Sequence, residues 1–358
     1  MSIKNSIYNC LPLAIQRQLF KKMHYNKPCG YGEVYSVTMD NALNTFLTDE
    51  ERSDKKLVRQ LKNDIIGCWI KYKALPYEYF LFNFRHRTDA ERSEFETDRD
   101  RIEVLCAVSS NQLYKQEIND KYNFYQLAKP YFRREAMKLS AETDSAEFAA
   151  FVKKAEIVFV KPLRGTKGAG AHKYTYIDDD SAKQFCRTLL EEDAEWMVEE
   201  CIRQSAEMAQ WNESSVNTIR IPTFLREGKF TVKWTRLRMG KKGFIVDNAG
   251  AGGIVVNVDP TTGIMITDGI DEYYNHFEKH PDTGKVFKGW QVPRWQELLD
   301  TVEELHRTRF SKHIYVAWDF ALTDKGWVVI EGNWGQLLGQ QTASQVGVKK
   351  EFYELVGI

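Results

Sequence analysis

The chain has 358 residues, 43% of them hydrophobic and 28% charged, enough to bury one large core or two to three modest ones. Fifty Lys and Arg balance fifty Asp and Glu, which excludes a global basic field for nucleic acid or an anionic membrane, so any anion site is local. The six cysteines are scattered and form no C-x-x-C pair, which argues against a zinc ribbon or a disulfide framework and fits a reducing cytoplasm.

Lys4 has no apolar run behind it, so no signal peptide is expected. No apolar stretch reaches the roughly 18 residues of a membrane span. Residues 1–118 are rich in charge and aromatics, and the spacing of Leu57, Leu61, Ile65, Trp69 and Tyr72 predicts helix, so this segment reads as a mostly helical lobe.

Residues 119–200 alternate strand, loop and helix. Ser145 is the expected cap of a helix carrying Phe148, Phe151 and Val152, and Ile157 to Val160 form a buried strand that runs into Lys161-Pro162 and a glycine-rich loop. Ser181 opens a further helix, and Glu195 to Glu199 read as a strand.

Residues 201–358 turn strand-like, with strands expected at Ser215 to Leu225, Lys229 to Arg238, Phe244 to Val246 and Gly253 to Val258. Pro293 in a first turn and the stripe Trp295, Leu298, Leu299, Val302 and Leu305 mark one amphipathic helix. Strands at Ile314 to Leu322 and Trp327 to Asn333 and a C-terminal helical segment complete an α+β chain.

Four constellations carry chemistry. The glycines Gly165, Gly168 and Gly170 after Lys161 let backbone N–H groups approach phosphate oxygens, or serve only the turn geometry of a hairpin; the P-loop spacing is absent. Glu331 and Asn333, two apart on a strand, point to one face, and Asp319 is flanked on its own face by the small Ala317 and Ala321. A three-residue loop Asp324-Lys325-Gly326 would pair Asp319 with Glu331, whereas a two-residue loop would pair it with Ile330 and part the carboxylates. Two carboxylates and an amide oxygen on one face suit Mg²⁺.

Arg220, and Arg236 and Arg238 on the next strand, supply guanidinium forks for carboxylate or phosphate, with Arg236 and Arg238 sharing a face with Val232 and Trp234. Asp247 to Gly253 is a second glycine-rich stretch that can present backbone donors or act as a tight connection. His276 and His280 lack an H-E-x-x-H context and read as surface residues, as do His86 with its flanking arginines and the pair Arg133-Arg134, whose alternative is an anionic acceptor.

Seven segments in order, over roughly residues 119–335, resemble the ATP-grasp superfamily and most closely its sugar-transfer-associated branch. They are Asp120-Lys121-Tyr122, Val160-Lys161-Pro162 with its loop, Val198-Glu199-Glu200-Cys201-Ile202, Asn217-Thr218-Ile219-Arg220, Asp247 to Gly253, His280-Pro281-x-Thr283-Gly284, and Trp318-Asp319 through Glu331-Gly332-Asn333. The resemblance implies an ATP-grasp fold, two α/β subdomains clasping ATP behind the helical lobe. It implies Lys121 and Lys161 on the phosphates, the Gly165 to Gly170 loop closing over them, and the hinge Glu199, Glu200 and Ile202 at adenine. Mg²⁺ would lie on Asp319, Glu331 and Asn333, with Arg220 and Arg238 gripping the reacting carboxylate. The implied activity is a carboxylate–amine ligase passing through an acyl phosphate, on substrates such as a sugar acid and an amino acid for a surface polysaccharide. A phosphotransferase on a hydroxyl and a non-catalytic scaffold are the alternatives. Two departures stand out: residues 1–118 lack the usual N-terminal α/β pattern, and Ala317 stands where related ligases often carry arginine.

Overall fold

The structure, a computed structural model, describes residues 10–30, 33–163, 170–192, 194–243, 252–335 and 337–358. Its chain contacts divide it into two units: residues 1–107, 273–275 and 336–358, and residues 108–272 and 276–335.

Among its described residues the first unit has no strands besides β1 (Pro28–Gly30) and β2 (Glu33–Val34) and is otherwise helices and their connections. Helix Lys55–Tyr72 arises as its spacing predicts, started by the Asp54 side chain, which accepts from the Lys56 and Leu57 amides. Its Leu61, Ile65 and Ile66 pack with Phe20, Tyr35, Met39, Phe82, Phe84 and Phe95 in a core of its own. The closing helices Leu338–Ser344 and Lys349–Val356 group with this unit rather than with the strands that precede them. Tyr353 donates to Asp100, and Gln341 exchanges hydrogen bonds with the backbone of Glu96.

The second unit holds two antiparallel sheets. The smaller runs in the order β3 (Ala136–Leu139), β6 (Trp196–Glu200), β4 (Ile157–Pro162), β5 (His172–Thr175). One of its faces is covered by helices Ser145–Ala155 and Asp179–Glu191, whose Phe148, Val152, Cys186 and Leu189 meet Leu139, Val158, Val160, Trp196 and Val198. The first helix begins at Ser145, the expected cap, and the second at Asp179, two residues before the expected start at Ser181, because Asp144 and Asp178 take the caps and accept from the Ala146 and Ser181 amides.

The larger sheet follows the path β12 (His276–Phe277), β11 (Gly269–Ile270), β10 (Ile254–Asn257), β9 (Arg236–Met239), β7 (Thr218–Arg226), β13 (Tyr315–Thr323), β14 (Gly326–Asn333), with β8 (Lys229–Val232) paired to β7. Helices Lys121–Phe132 and Trp295–Arg309 pack on it through Phe124, Phe132, Leu298, Val302 and Leu305. The expected continuous strand from Lys229 to Arg238 is broken: Trp234 takes a left-handed conformation at φ 54°, turning the chain between β8 and β9. Val232 and Trp234 therefore do not extend the face that bears Arg236 and Arg238.

A further difference concerns the β13–β14 hairpin. Its loop has two residues, Asp324 and Lys325, since Thr323 stands opposite Gly326. On that register alone Asp319 would face Ile330. A β-bulge intervenes: Phe320 pairs with Val329 and Asp319 with Glu331, so Ile330 is the extra residue and the expected carboxylate pairing is recovered by a route other than the loop.

Candidate functional site

Register places the polar side chains. Arg236 is opposite Arg220, Arg220 opposite Asp319, and Asp319 opposite Glu331, while Asn257 of β10 is opposite Arg236. Residues directly opposite share a face, so one polar row crosses five adjacent strands. Strands with apolar neighbours on both sides present this row because alternation keeps Ile219, Ile221, Trp318 and Phe320 on the opposite, core-facing side.

Arg220 and Asp319 form a two-point ion pair: Arg220 Nε donates to Asp319 Oδ1, and Nη2 donates to Oδ2 at 2.7 Å. Arg238 Nη2 adds a bond to Oδ2 at 2.9 Å, and its Nε and Nη2 also reach Thr218 Oγ1. Arg220 Nη1 donates to Asn333 Oδ1 at 3.2 Å, linking the arginine to the end of β14. Burial alone would raise the Asp319 carboxyl, but Arg220 and then Arg238 outweigh it and hold the group down at about 2. Glu331 moves the other way, raised by burial and by the Asp319 charge. Arg236 is pushed well down by burial and by its arginine neighbours.

A carboxylate offers about four lone-pair sites. Three of those on Asp319 are taken by guanidinium donors, leaving Oδ1 one direction for a metal. With Glu331 and the Asn333 amide oxygen on the same face, the donor chemistry fits Mg²⁺. Among the described residues no three His, Cys, Asp or Glu side chains gather into a metal cage of their own.

The small sheet contributes a second charged group. Glu199 of β6 is buried and divides its oxygens: Oε1 pairs with Lys161 Nζ at 2.7 Å and Oε2 accepts from Arg134 Nη2 at 2.7 Å. Burial acts to raise Glu199, and Arg134 and Lys161 more than reverse it. Lys121, first residue of its helix, donates to the Pro162 and Leu163 carbonyls at 3.1 and 3.2 Å, at the foot of the glycine-rich loop. Burial lowers its ammonium, Glu331 opposes this, and Lys161 adds to it. Lys161 is among the charges that act on Glu331, and the two sheets meet directly where Arg134 bonds both Glu199 of the small sheet and the Val329 carbonyl of the large one.

Of the other expected site residues, Glu200 ends β6 with its amide on the Glu135 carbonyl and its carboxylate accepting from the Glu135 amide, and Ile202 follows half-buried. Gly170 has φ 73°, a backbone that favours glycine. Gly165, Gly168 and most of the Asp247 to Gly253 stretch, with the Phe244 to Val246 strand, lie outside the described residues. Asn217 is buried and organises the turn before β7, bonding Gln204, Met208 and Asn212.

Two expectations are corrected. His280 is fully buried beside Trp211 and Phe287, held by the Gly240 carbonyl and the Asp282 amide, because its ring closes the core under the His280 to Gly284 turn. Arg134 is not a surface residue but a buried partner of Glu199, since its guanidinium reaches a carboxylate and two carbonyls that offset its desolvation. A doubled arginine after a helix carries no signal of that kind in sequence.

A family model described as sugar-transfer associated ATP-grasp matches residues 109–355, which include both sheets and every residue of the site. The architecture is thus of the ATP-grasp class. The chain belongs to the sugar-transfer associated ATP-grasp family. Among solved structures it is similar to D-alanyl-alanine synthetase A from Vibrio cholerae O1 biovar eltor, with 14% identity, TM-score 0.40 and coverage of 67% of this chain and 64% of that one. It is also similar to D-alanine–D-alanine ligase from Bacillus anthracis complexed with ATP (14% identity, TM-score 0.39, 69% and 67% covered). D-cycloserine synthetase DcsG matches at 12% identity and TM-score 0.43, over 79% of this chain and 94% of that one. The chain spans just under two thirds of the length of the Vibrio enzyme. No curated protein sequence matches it.

Proposed function

We propose that this protein is an ATP-dependent ligase that joins a carboxylate to an amine through an acyl phosphate, acting in the cytoplasm on small molecules such as a sugar acid and an amino acid. The observation that carries this reading is the row Arg236, Arg220, Asp319 and Glu331, set where the charge of Lys161 is felt. Membership of a family associated with sugar transfer favours surface polysaccharide assembly as the setting.

In this reading Lys161 and Lys121 serve the phosphates of ATP, with the Gly165, Gly168 and Gly170 loop above them, and Glu199, Glu200 and Ile202 form the adenine edge. Asp319, Glu331 and Asn333 would hold Mg²⁺, which would supply charge neutralisation to the phosphates. Arg220 and Arg238 orient the carboxylate for attack on the γ-phosphorus and hold charge as it builds on the acyl oxygens. The carboxylate oxygen bonds to phosphorus as ADP leaves; the amine then attacks the acyl carbon, phosphate departs, and the amine proton is lost. Enclosure between two sheets keeps water from the acyl phosphate.

The test is Mg²⁺-dependent ADP release against uronic acids and amino acids, offered singly and in carboxylate–amine pairs, with Glu331→Gln as control. Release confined to a pair and lost in the variant is the expected result. Release with a hydroxyl compound alone would replace the ligase with a phosphotransferase, and no release with any pair would overturn the reading.

A further inference from the structure

Arg134 occupies an unusual position between the two sheets. Its guanidinium spends four donor contacts on three separate elements: Nε and Nη2 on Glu199 Oε2 at 3.2 and 2.7 Å, and Nη1 on the Phe132 carbonyl at 3.1 Å and the Val329 carbonyl at 3.0 Å. Glu199 belongs to the small sheet and Val329 to the large one. The guanidinium carbon lies 3.4 Å from the centre of the Phe132 ring, and the side chain is 6% exposed.

Both ends of this bridge lead to residues of the site. At one end, the Glu199 oxygen that Arg134 does not use holds Lys161. At the other, Val329 is the last regularly paired residue before the Ile330 bulge, and the bulge fixes where Glu331 points.

We infer that Arg134 is a positioning residue of the nucleotide cleft, tying the Lys161–Glu199 pair on one sheet to the strand that carries Glu331 and Asn333 on the other. This rests on the reading that Lys161 serves phosphate. Two physical consequences follow. Lys161 can leave Glu199 for a phosphate without stranding a buried carboxylate, because Arg134 remains as its counter-charge. The span between Lys161 and Glu331 is set by one rigid, planar fork with several donors in fixed geometry, which a lysine cannot reproduce.

The experiment is displacement of trinitrophenyl-ATP from the full chain by ATP and, separately, by adenosine at millimolar Mg²⁺. The proteins are wild type, Arg134→Met, Arg134→Lys, Lys161→Met, the Arg134→Met/Lys161→Met double variant, and Arg133→Met as a neighbouring control. Arg134→Met is expected to weaken ATP about tenfold while leaving adenosine unchanged, and the double variant is expected to be no worse than Lys161→Met alone, the signature of a shared interaction. Arg134→Lys keeps a counter-charge for Glu199 but gives up the carbonyls, so its preference for ATP over adenosine falls between wild type and Arg134→Met. It also serves if the methionine variant fails to fold.

A general loosening of structure would weaken ATP and adenosine alike, and that result overturns the positioning role. Full wild-type discrimination in Arg134→Lys overturns the bridge between sheets. A wild-type protein that binds no trinitrophenyl-ATP overturns the nucleotide reading itself, and Arg134 with it.

Discussion

Gly335 lies so close to Arg220 that a Cβ added to it would stand 2.6 Å from the arginine Nη1. The same Cβ would meet Asn333 Oδ1 at 2.6 Å and Ala317 Cβ at 2.7 Å, and the Gly335 carbonyl is already held by the Tyr315 hydroxyl at 2.9 Å. The arginine that grips Asp319 thus runs over a backbone position with no side chain.

Gly335→Ala is therefore expected to push the Arg220 guanidinium off Asn333 and to cost about 1–3 kcal/mol, the usual range for overpacking a filled site. Urea unfolding measures the loss. An unchanged midpoint would mean that the chain after β14 shifts freely, contrary to the Tyr315 bond.

Asp319 is the only carboxylate that touches both Arg220 and Arg238 among the bonds described above. Asp319→Ala strands buried guanidinium charge and is expected to destabilise by about 3–5 kcal/mol. The double variant Asp319→Leu/Arg220→Met should recover part of that loss, because it removes the charge along with its partner. If the double variant unfolds as readily as the single one, the pair is not the source of the cost.

The acid side follows from the same pair. Folding lowers the Asp319 carboxyl from 3.8 to about 2, so its contribution is complete above 3.8 and is lost as pH falls toward 2. Asp319→Asn should flatten that part of the stability profile, read as the denaturant midpoint across the acid range.

Glu78 in the helical unit has the opposite sign. Its carboxyl accepts from the Leu75 and Asp98 amides, and burial, followed by the Asp98 charge, raises it from 4.5 to about 8. A carboxyl raised by folding contributes fully below 4.5 and loses that contribution as pH rises toward 8. Wild-type protein should become easier to unfold with urea between those limits, and Glu78→Gln should remove most of the slope. A wild-type profile that rises through this range would show Glu78 to be ionised.

Glu331→Gln keeps the shape of the proposed metal donor and removes its charge. The gain in ATP affinity on adding Mg²⁺, measured by calorimetry against a chelator control, is expected to shrink in the variant while metal-free ATP binding holds. Equal gains in both proteins would take Glu331 out of the metal set.

Much of this was legible in the sequence, and the gaps have physical causes. Period-two alternation around Asp319 and Glu331 revealed one shared face, and the stripe from Leu57 to Tyr72 revealed a helix, because both patterns are local. The hairpin route is not legible because a bulge is set by how strands twist and pack, and Ile330 has no composition that announces it. Trp234 at positive φ is equally silent in sequence, since a bulky aromatic is not a turn residue. His280 and Arg134 look like surface residues by type, and only their tertiary partners explain their burial. The capture of Asp319 by two arginines is silent in sequence because partners ninety-nine and eighty-one positions apart leave no spacing to read.

The Ile330 bulge makes turn length and site geometry separately adjustable. A relative whose turn took in Gly326 as a third residue, and whose β14 ran on without a bulge, would return Glu331 to the same seat opposite Asp319. Paired changes of turn and bulge are silent at the site, whereas either one alone, at unchanged chain length, reverses every side chain beyond it. Kin of this chain can therefore differ in the turn at the tip of the hairpin and still share the same polar face, with the compensating change further along β14.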